Sequence, residues 1–468
     1  MKARRRKDVV PRKNYLTIHH YDLGYAMLRP VVDFFFLNYY RKVEARNSKV
    51  LVKDQPIIIA PNHQNALMDA LAILSNDKGQ PVFLARADIF KKKTIASILH
   101  FLNIMPVYRI RDGMENLTQN DEIFMATLNI LRDRHRLCLM PEGNHGNKRR
   151  LRPLVKGIFR IAFLAQKDYG EMPGVKIIPV GIDYSDYEKF QQTLFVNFGE
   201  PIEVSEYFGL WESNPAQGIN ALKDRLAEEL SKRMIDIRTE EFYDCYQDLR
   251  TVYRPYMLER LGLPKRKLSA AFDADKEMIR CLDKELATNP DNISNLAEEM
   301  KTYMAGVRKL GIRDWLFSKS RLSFIGTCCI TLFMLLGLPI FLYGLVFNAL
   351  PFFLPDAIAS KIKDTQFRSS VKMVLGMLMI IIFYLILFGI SFFFMPWWAS
   401  LIFLATLLGS GFFAFRYFIW FKKFRARLRY GRLLRKKDQH VSELRQLRHS
   451  IIEKVNFIVE NHHKASNT

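Results

Sequence analysis

Two long stretches without a charged side chain constrain this chain more than any other feature. They are residues 322–354, 33 positions, and residues 373–415, 43 positions. The hydrocarbon core of a bilayer is crossed by about 20 helical residues, so an integral membrane protein is expected. The second stretch fits two spans, 373–394 and 399–419, joined at Met395-Pro396-Trp397-Trp398. Proline ends a helix there, and tryptophan suits the headgroup boundary. The first stretch is long for one span and short for two. Gly337-Leu338-Pro339 at its middle predicts a re-entrant hairpin over 322–354. Basic residues crowd 305–321, 355–372 and 421–437. A re-entrant hairpin followed by a spanning hairpin over 373–420 puts all three on the cytoplasmic side, as the positive-inside rule prefers. A single tilted span over 322–354 is the alternative.

The 468 residues carry a formal net charge of +23, clustered at 2–13, 91–93, 148–156, 264–267 and 421–437. Zinc-finger spacing, RNP-type aromatic motifs and KH-type glycine clamps are all missing from the sequence. The charge therefore points to a phospholipid membrane surface rather than to nucleic acid. Cys138, Cys245, Cys281, Cys328 and Cys329 form no C-x-x-C pair and no metal-type spacing. An odd, scattered set speaks against a disulfide framework and a metal site, and for a reducing compartment. Residues 1–48 read as a basic segment followed by an apolar, aromatic run, Gly24–Tyr40, interrupted by Arg29, Pro30 and Asp33. Too broken to span, this run is expected to lie in the membrane interface or to pack as a helix on a soluble domain.

Residues 49–205 alternate short β-branched runs with helical patterns. Strands are expected at 55–60, 81–85, 105–108, 136–140, 176–183 and 194–198, and helices at 65–76, 93–102, 119–134 and 155–169. This is the pattern of an α/β domain with a largely parallel sheet, whose functional groups sit at strand ends and in the loops that follow. A helical extension over 206–320, the membrane region over 321–421 and a basic cytoplasmic tail over 422–468 complete the expected order.

Four blocks bear on chemistry. Pro61-Asn62-His63-Gln64-Asn65-Ala66-Leu67-Met68-Asp69 follows a strand and opens a helix. A histidine with a nearby carboxylate is the minimal unit that activates a hydroxyl, although alone such a pair is more often structural. Asn103–Arg111 is a strand ending in Arg109 and Arg111, whose planar forks suit phosphate. Leu139-Met140-Pro141-Glu142-Gly143-Asn144-His145-Gly146 is a glycine-rich turn after a strand. Five cations follow it, Lys148, Arg149, Arg150, Arg152 and Lys156, a setting that favours an anionic group. Ile177-Ile178-Pro179-Val180-Gly181-Ile182 reads as a buried strand.

Together and in this order, the blocks resemble the glycerol-phosphate and lysophosphatidic-acid acyltransferase family over residues 50–205. PNHQNALMD stands for its N-H-x-S-x-x-D block, NIMPVYR for G-x-x-F-I-x-R, LMPEGN with RPLVKG for F-P-E-G and P-F-K-x-G, and IIPVGI for the apolar block. The resemblance implies that His63 is the catalytic base and that Asp69 orients it. It implies that Arg109 binds the acceptor phosphate, with Arg111 and Arg149 next in line. Glu142 and Gly143 would shape an acceptor pocket that Asn62 and Asn144 border; from their charge rather than from the resemblance, Lys148 and Arg149 are expected to meet phosphate or the anionic donor. The spacing departs from the family pattern, with five residues rather than four between His63 and Asp69. An offset of six positions is about 240° around a helix, so His63 is expected in the turn before the helix. The longer spacing resembles the fungal-type branch that acylates glycerol 3-phosphate or dihydroxyacetone phosphate.

The expected activity is transfer of a fatty acyl group from a thioester donor, acyl-CoA or acyl-carrier protein, to glycerol 3-phosphate in phospholipid biosynthesis. No further cofactor or metal is expected. Acylation of lysophosphatidic acid to phosphatidic acid is the near alternative, and a non-catalytic lipid-binding scaffold is the alternative of another class. The expected location is the inner membrane of a bacterium or the endoplasmic reticulum of a eukaryote, with the catalytic domain in the cytoplasm. The sequence does not set the oligomeric state.

Overall fold

The computed structural model describes residues 15–107, 117–169 and 174–464. The chain divides into two compact units, residues 1–236 together with 362–373, and residues 237–361 together with 374–468.

In the first unit the β-branched runs become strands: β1 (Lys42–Arg46), β2 (Ile57–Pro61), β3 (Val82–Arg86), β4 (Ile104–Val107), β5 (Arg136–Cys138), β6 (Lys176–Tyr184), β7 (Thr193–Phe198) and β8 (Ile202–Glu203). They form one sheet in the order β1-β7-β6-β2-β5-β3-β4, with β8 beside β6. Neighbours run parallel except at β6–β7 and β6–β8. The largely parallel sheet read from the sequence is thus present. Every residue of β2 is buried, because helices cover both faces of a parallel sheet, and this is why its sequence is unbroken apolar rather than alternating.

Among the described residues up to 169, five α-helices lie along this unit: α1 (Leu23–Tyr39), α2 (Ala66–Leu74), α3 (Lys93–Phe101), α4 (Leu117–Arg132) and α5 (Gly157–Tyr169). Ile158, Phe159, Ala162 and Phe163 of α5 join Ile58, Val82, Leu137 and Ile177 of the strands in one core. The expected boundaries at 49 and 205 cut through this body. β1 lies before the first, and the helix Pro215–Arg233 lies after the second, with Leu222, Leu226 and Leu230 buried in the same core. With Ile219 of the same core they recur at three- and four-residue spacing, an apolar helix face that is buried on the sheet. α1 is a helix packed on the protein, one of the two expectations for residues 24–40. It seats Tyr25, Phe36 and Tyr39 in the protein, while Leu23, Met27, Val31, Phe34 and Leu37 remain exposed along it at helical spacing.

The second unit is helical. Its three apolar helices are Phe324–Ser360, the greater part of Arg368–Ser391, and Trp397–Arg435. Each is long and apolar enough to cross a membrane. The break expected at Met395–Trp398 is present, with Pro396 capping the last of them. The re-entrant hairpin expected over 322–354 is not formed: this run is one uninterrupted helix that continues through Pro339, Pro351 and Pro355. Opening it into a turn would expose backbone groups where no water is available to bond them. Gly337 and Gly344 serve helix packing instead. A Cβ on Gly344 would lie 2.2 Å from the Ser410 carbonyl oxygen on the antiparallel helix, the close approach that small residues allow.

The basic segment 422–468 is not a free tail. Residues 422–435 extend the third apolar helix, and Gln439–Lys464 packs on the helices Leu268–Thr288 and Pro290–Lys309. Arg448 donates to Asp314 at 2.7 Å, and Tyr253 donates to Asn456 at 2.6 Å.

Candidate active site

The site lies where β2 and β5 end, at the carboxyl edge of the parallel sheet. Beyond Pro61 the chain turns through residues 62–65 into α2. The buried amide of Asn62 pins this turn to β6, accepting from the Ile182 N–H at 2.6 Å and donating to the Ile182 carbonyl at 3.2 Å. Expected as a substrate contact, Asn62 instead positions its neighbour, because its amide is bonded to the strand at both ends.

His63 stands in the turn, as the six-residue offset requires. Asp69, in the first turn of α2 and fully buried, reaches back to it. Asp69 Oδ2 lies 2.9 Å from His63 Nδ1 and accepts the backbone N–H groups of Gln64 at 2.8 Å and Asn65 at 2.7 Å. Its Oδ1 accepts the Tyr184 hydroxyl at 2.8 Å. One carboxylate therefore shapes the turn and fixes the imidazole. With Nδ1–H directed at Asp69, Nε2 is left as the proton acceptor. Ala66, which opens α2 after this turn, has a φ of +42°, in the left-handed region that few side-chain-bearing residues adopt.

The turn after β5 closes on the first. Glu142 Oε1 accepts the His63 N–H at 2.8 Å, and its Oε2 accepts Arg152 Nε at 3.0 Å. The Gly146 N–H donates to the His63 carbonyl at 3.2 Å. Burial pushes the Glu142 carboxyl above its ordinary value, against the opposing bonds from His63 and Arg152. Gly143 has a φ of +64°, and a Cβ there would meet Val155 Cγ1 at 2.8 Å, so any other residue would be strained and would displace Val155.

A second histidine stands beside the first. The His145 ring is edge-on to His63 with centroids 5.5 Å apart, and its Nε2 lies 2.9 Å from Asp364 Oδ2. Burial, followed by the neighbouring His63, lowers its pKa to about 4, so it is neutral near pH 7.

The other expected residues divide. Arg149 is buried, donating from Nε to Asp183 at 3.1 Å and from its fork to the Tyr184 carbonyl, with its guanidinium 5.0 Å from the Tyr187 ring centroid. It braces the end of β6 rather than presenting its charge at the surface. Asn144 and Lys148 are exposed beside the turn. Arg109 and Arg111 lie outside the described residues. Arg152 Nη2 is buried without a hydrogen-bond partner.

Sequence reasoning missed Tyr184, which lies two residues beyond the fourth block, and three residues far down the chain: Asp364, Phe367 and Ser369. The only signal for the last group was a polar run between two apolar stretches, which a plain connector also has. Elsewhere, His19, His20 and Asp133 bring ligand-capable atoms within 4.8 Å of one another, a grouping that spacing did not reveal, and His19 bonds Asp133 at 2.6 Å.

Residues 42–183 match the family model described as Acyltransferase. Over 230 residues, 48% of this chain, the sequence is 26% identical to glycerol-3-phosphate O-acyltransferase 1 of Saccharomyces cerevisiae, covering 29% of that protein. It is 25% identical over 146 residues to glycerol-3-phosphate O-acyltransferase 2 of the same yeast, covering 31% of this chain and 19% of that protein. The match thus spans less than a third of either relative. Among solved structures, the 1-acyl-sn-glycerophosphate acyltransferase of Thermotoga maritima aligns at 18% identity with a TM-score of 0.31, covering 45% of this chain and 80% of that one.

Proposed function

We propose that this chain, which carries an acyltransferase domain over residues 42–183, transfers a fatty acyl group from a thioester donor to the hydroxyl of glycerol 3-phosphate at a membrane. The observation that carries the reading is the His63–Asp69 pair at 2.9 Å, set in a turn so that one imidazole nitrogen faces away from the carboxylate. His63 Nε2 takes the proton of the acceptor hydroxyl as that oxygen attacks the thioester carbonyl. The new C–O bond forms, the tetrahedral oxyanion collapses, and the C–S bond breaks. The proton then passes from His63 to the departing thiolate. Asp69 holds the imidazole and stabilises the imidazolium between these steps. As written, the reaction needs no cofactor besides the thioester, acyl-CoA or acyl-carrier protein.

Two observations favour glycerol 3-phosphate over lysophosphatidic acid as acceptor. One is the five-residue gap between His63 and Asp69, and the other is the likeness to yeast proteins named for that acceptor. The three apolar helices and the outward apolar residues of α1 support a membrane location. In the assay, the purified full chain in phospholipid nanodiscs receives a radiolabelled long-chain acyl donor with either acceptor. Labelled lysophosphatidic acid is expected from glycerol 3-phosphate. Product from lysophosphatidic acid alone would reassign the acceptor, and none from either would refute the transferase reading.

A neutral His145 matters to this chemistry, because a cation beside His63 opposes its protonation. His145→Lys is expected to lower kcat and to move the acid limb of the kcat/KM profile about 0.5–1 pH unit downward. The sign follows from the favoured neutral base, which then persists to lower pH. An unmoved limb would show that position 145 does not feel the His63 charge.

A further inference from the structure

The segment that joins the first two apolar helices belongs to the catalytic unit, not to the helical one. A connector between two membrane helices needs only to be polar and exposed. This one is neither free nor fully exposed. Ser369 is completely buried and its hydroxyl donates to the side-chain oxygen of Asn65 at 2.5 Å, at the residue that caps α2 beside His63. Asp364 bonds His145 at 2.9 Å, and Phe367 meets the same ring edge-on with centroids 5.0 Å apart. Arg368 pairs with Glu188 at 3.1 Å, and Lys372 donates to the Glu188 carbonyl at 3.3 Å. Each half of the His63 environment, the turn after β2 and the turn after β5, is thus held from this one segment.

Resting on the transferase reading, we propose that Asp364 and Ser369, in the segment 362–373, complete the acyl-acceptor site as positioning residues for His145 and the His63 turn. Asn65 contributes its backbone N–H to Asp69 and its side chain to Ser369. A shift of the segment is therefore transmitted to the carboxylate that orients the base. Asp364 fixes the rotation of the ring that forms one wall beside His63.

The test uses the full chain in nanodiscs with glycerol 3-phosphate and a labelled acyl donor. Asp364→Asn and Ser369→Ala are each expected to lower kcat about tenfold to a hundredfold, the scale of a misplaced catalytic group. The donor KM is expected to stay near wild type in both variants, and the thermal midpoint in Asp364→Asn, whose side chain is half exposed. Asp364→Glu is expected to recover most of the rate, and Lys363→Ala, on the same segment and exposed, all of it. An active wild type whose Asp364→Asn and Ser369→Ala variants keep its kcat overturns the inference and leaves the transferase reading standing. Equal losses in Lys363→Ala also overturn it, since the effect would not be specific to the two contacts. Failure of the wild type with both acceptors overturns the reading and this inference with it.

Discussion

Replacing His63 with alanine is expected to lower kcat by about a thousandfold to ten-thousandfold, the usual contribution of a positioned base with an orienting carboxylate. Neither nearby group can substitute. Both Glu142 oxygens are engaged, by the His63 N–H and by Arg152, and His145, with a pKa lowered to about 4 by burial, is a weak base. Asp69 has two duties that different substitutions separate. In Asp69→Asn, an amide oxygen turned toward His63, Gln64 and Asn65, with its NH2 toward Tyr184, keeps the four hydrogen bonds but not the charge. Loss of about a hundredfold or more in kcat with little change in stability is expected. Asp69→Ala leaves the buried N–H groups of Gln64 and Asn65 without an acceptor, at about 1–3 kcal/mol each, so both rate and thermal midpoint are expected to fall. Initial rates at saturating donor, beside thermal unfolding of the same preparations, separate the two. Wild-type rates in Asp69→Asn would reduce Asp69 to a structural brace.

The largest expected effect on stability comes from one methyl group. A Cβ on Gly181 would lie 1.8 Å from the Arg233 carbonyl oxygen, which is backbone and cannot rotate away. Asn197 also bonds that carbonyl, at 3.2 Å, from the adjacent strand. Gly181→Ala must therefore separate β6 from the end of the helix Pro215–Arg233, at a cost of about 3 kcal/mol or more. That corresponds to a fall of about 6–12 °C in the unfolding midpoint of the unit. Activity is expected to fall as well, because Ile182, the next residue, holds Asn62 beside His63. Gly157→Ala is the control: nothing lies within 4 Å of its Cβ position, and no loss is expected. An unchanged midpoint in Gly181→Ala would show that the helix end yields freely.

What the sequence made legible is what short-range patterning controls. The β2 run Ile57-Ile58-Ile59 and the apolar spacing of α5 announced themselves, and so did the sheet's parallel character. The turn position of His63 followed from helix geometry alone, since a six-residue offset excludes a shared face. What stayed hidden depends on partners distant in the chain. β1, with the alternating charges of Lys42-Val43-Glu44-Ala45-Arg46, lacks an apolar signature, and pairing with β7 defines it. Gly337 and Pro339 looked like a turn because the close packing of Gly337 against Tyr417 shows only once the neighbouring helix is known. Asn62 and Arg149 are polar residues in a motif, and only their bonds to β6 show that they brace the site from behind. Ser369 and Asp364 lie some 300 and 220 positions from the residues they bond, beyond the reach of any local pattern.

That last separation also bears on how the protein is made. The catalytic unit is assembled from two pieces of chain, residues 1–236 and 362–373. A ribosome delivers the second piece only after the whole of Phe324–Ser360 has been synthesised. At about 5–20 residues per second, the sheet has several seconds to form before Ser369 emerges to meet Asn65. The order of synthesis thus places completion of the active centre after the first apolar helix has become available to the bilayer. A fragment ending before residue 324 would contain His63, Asp69 and Glu142 and still lack part of the unit that holds them.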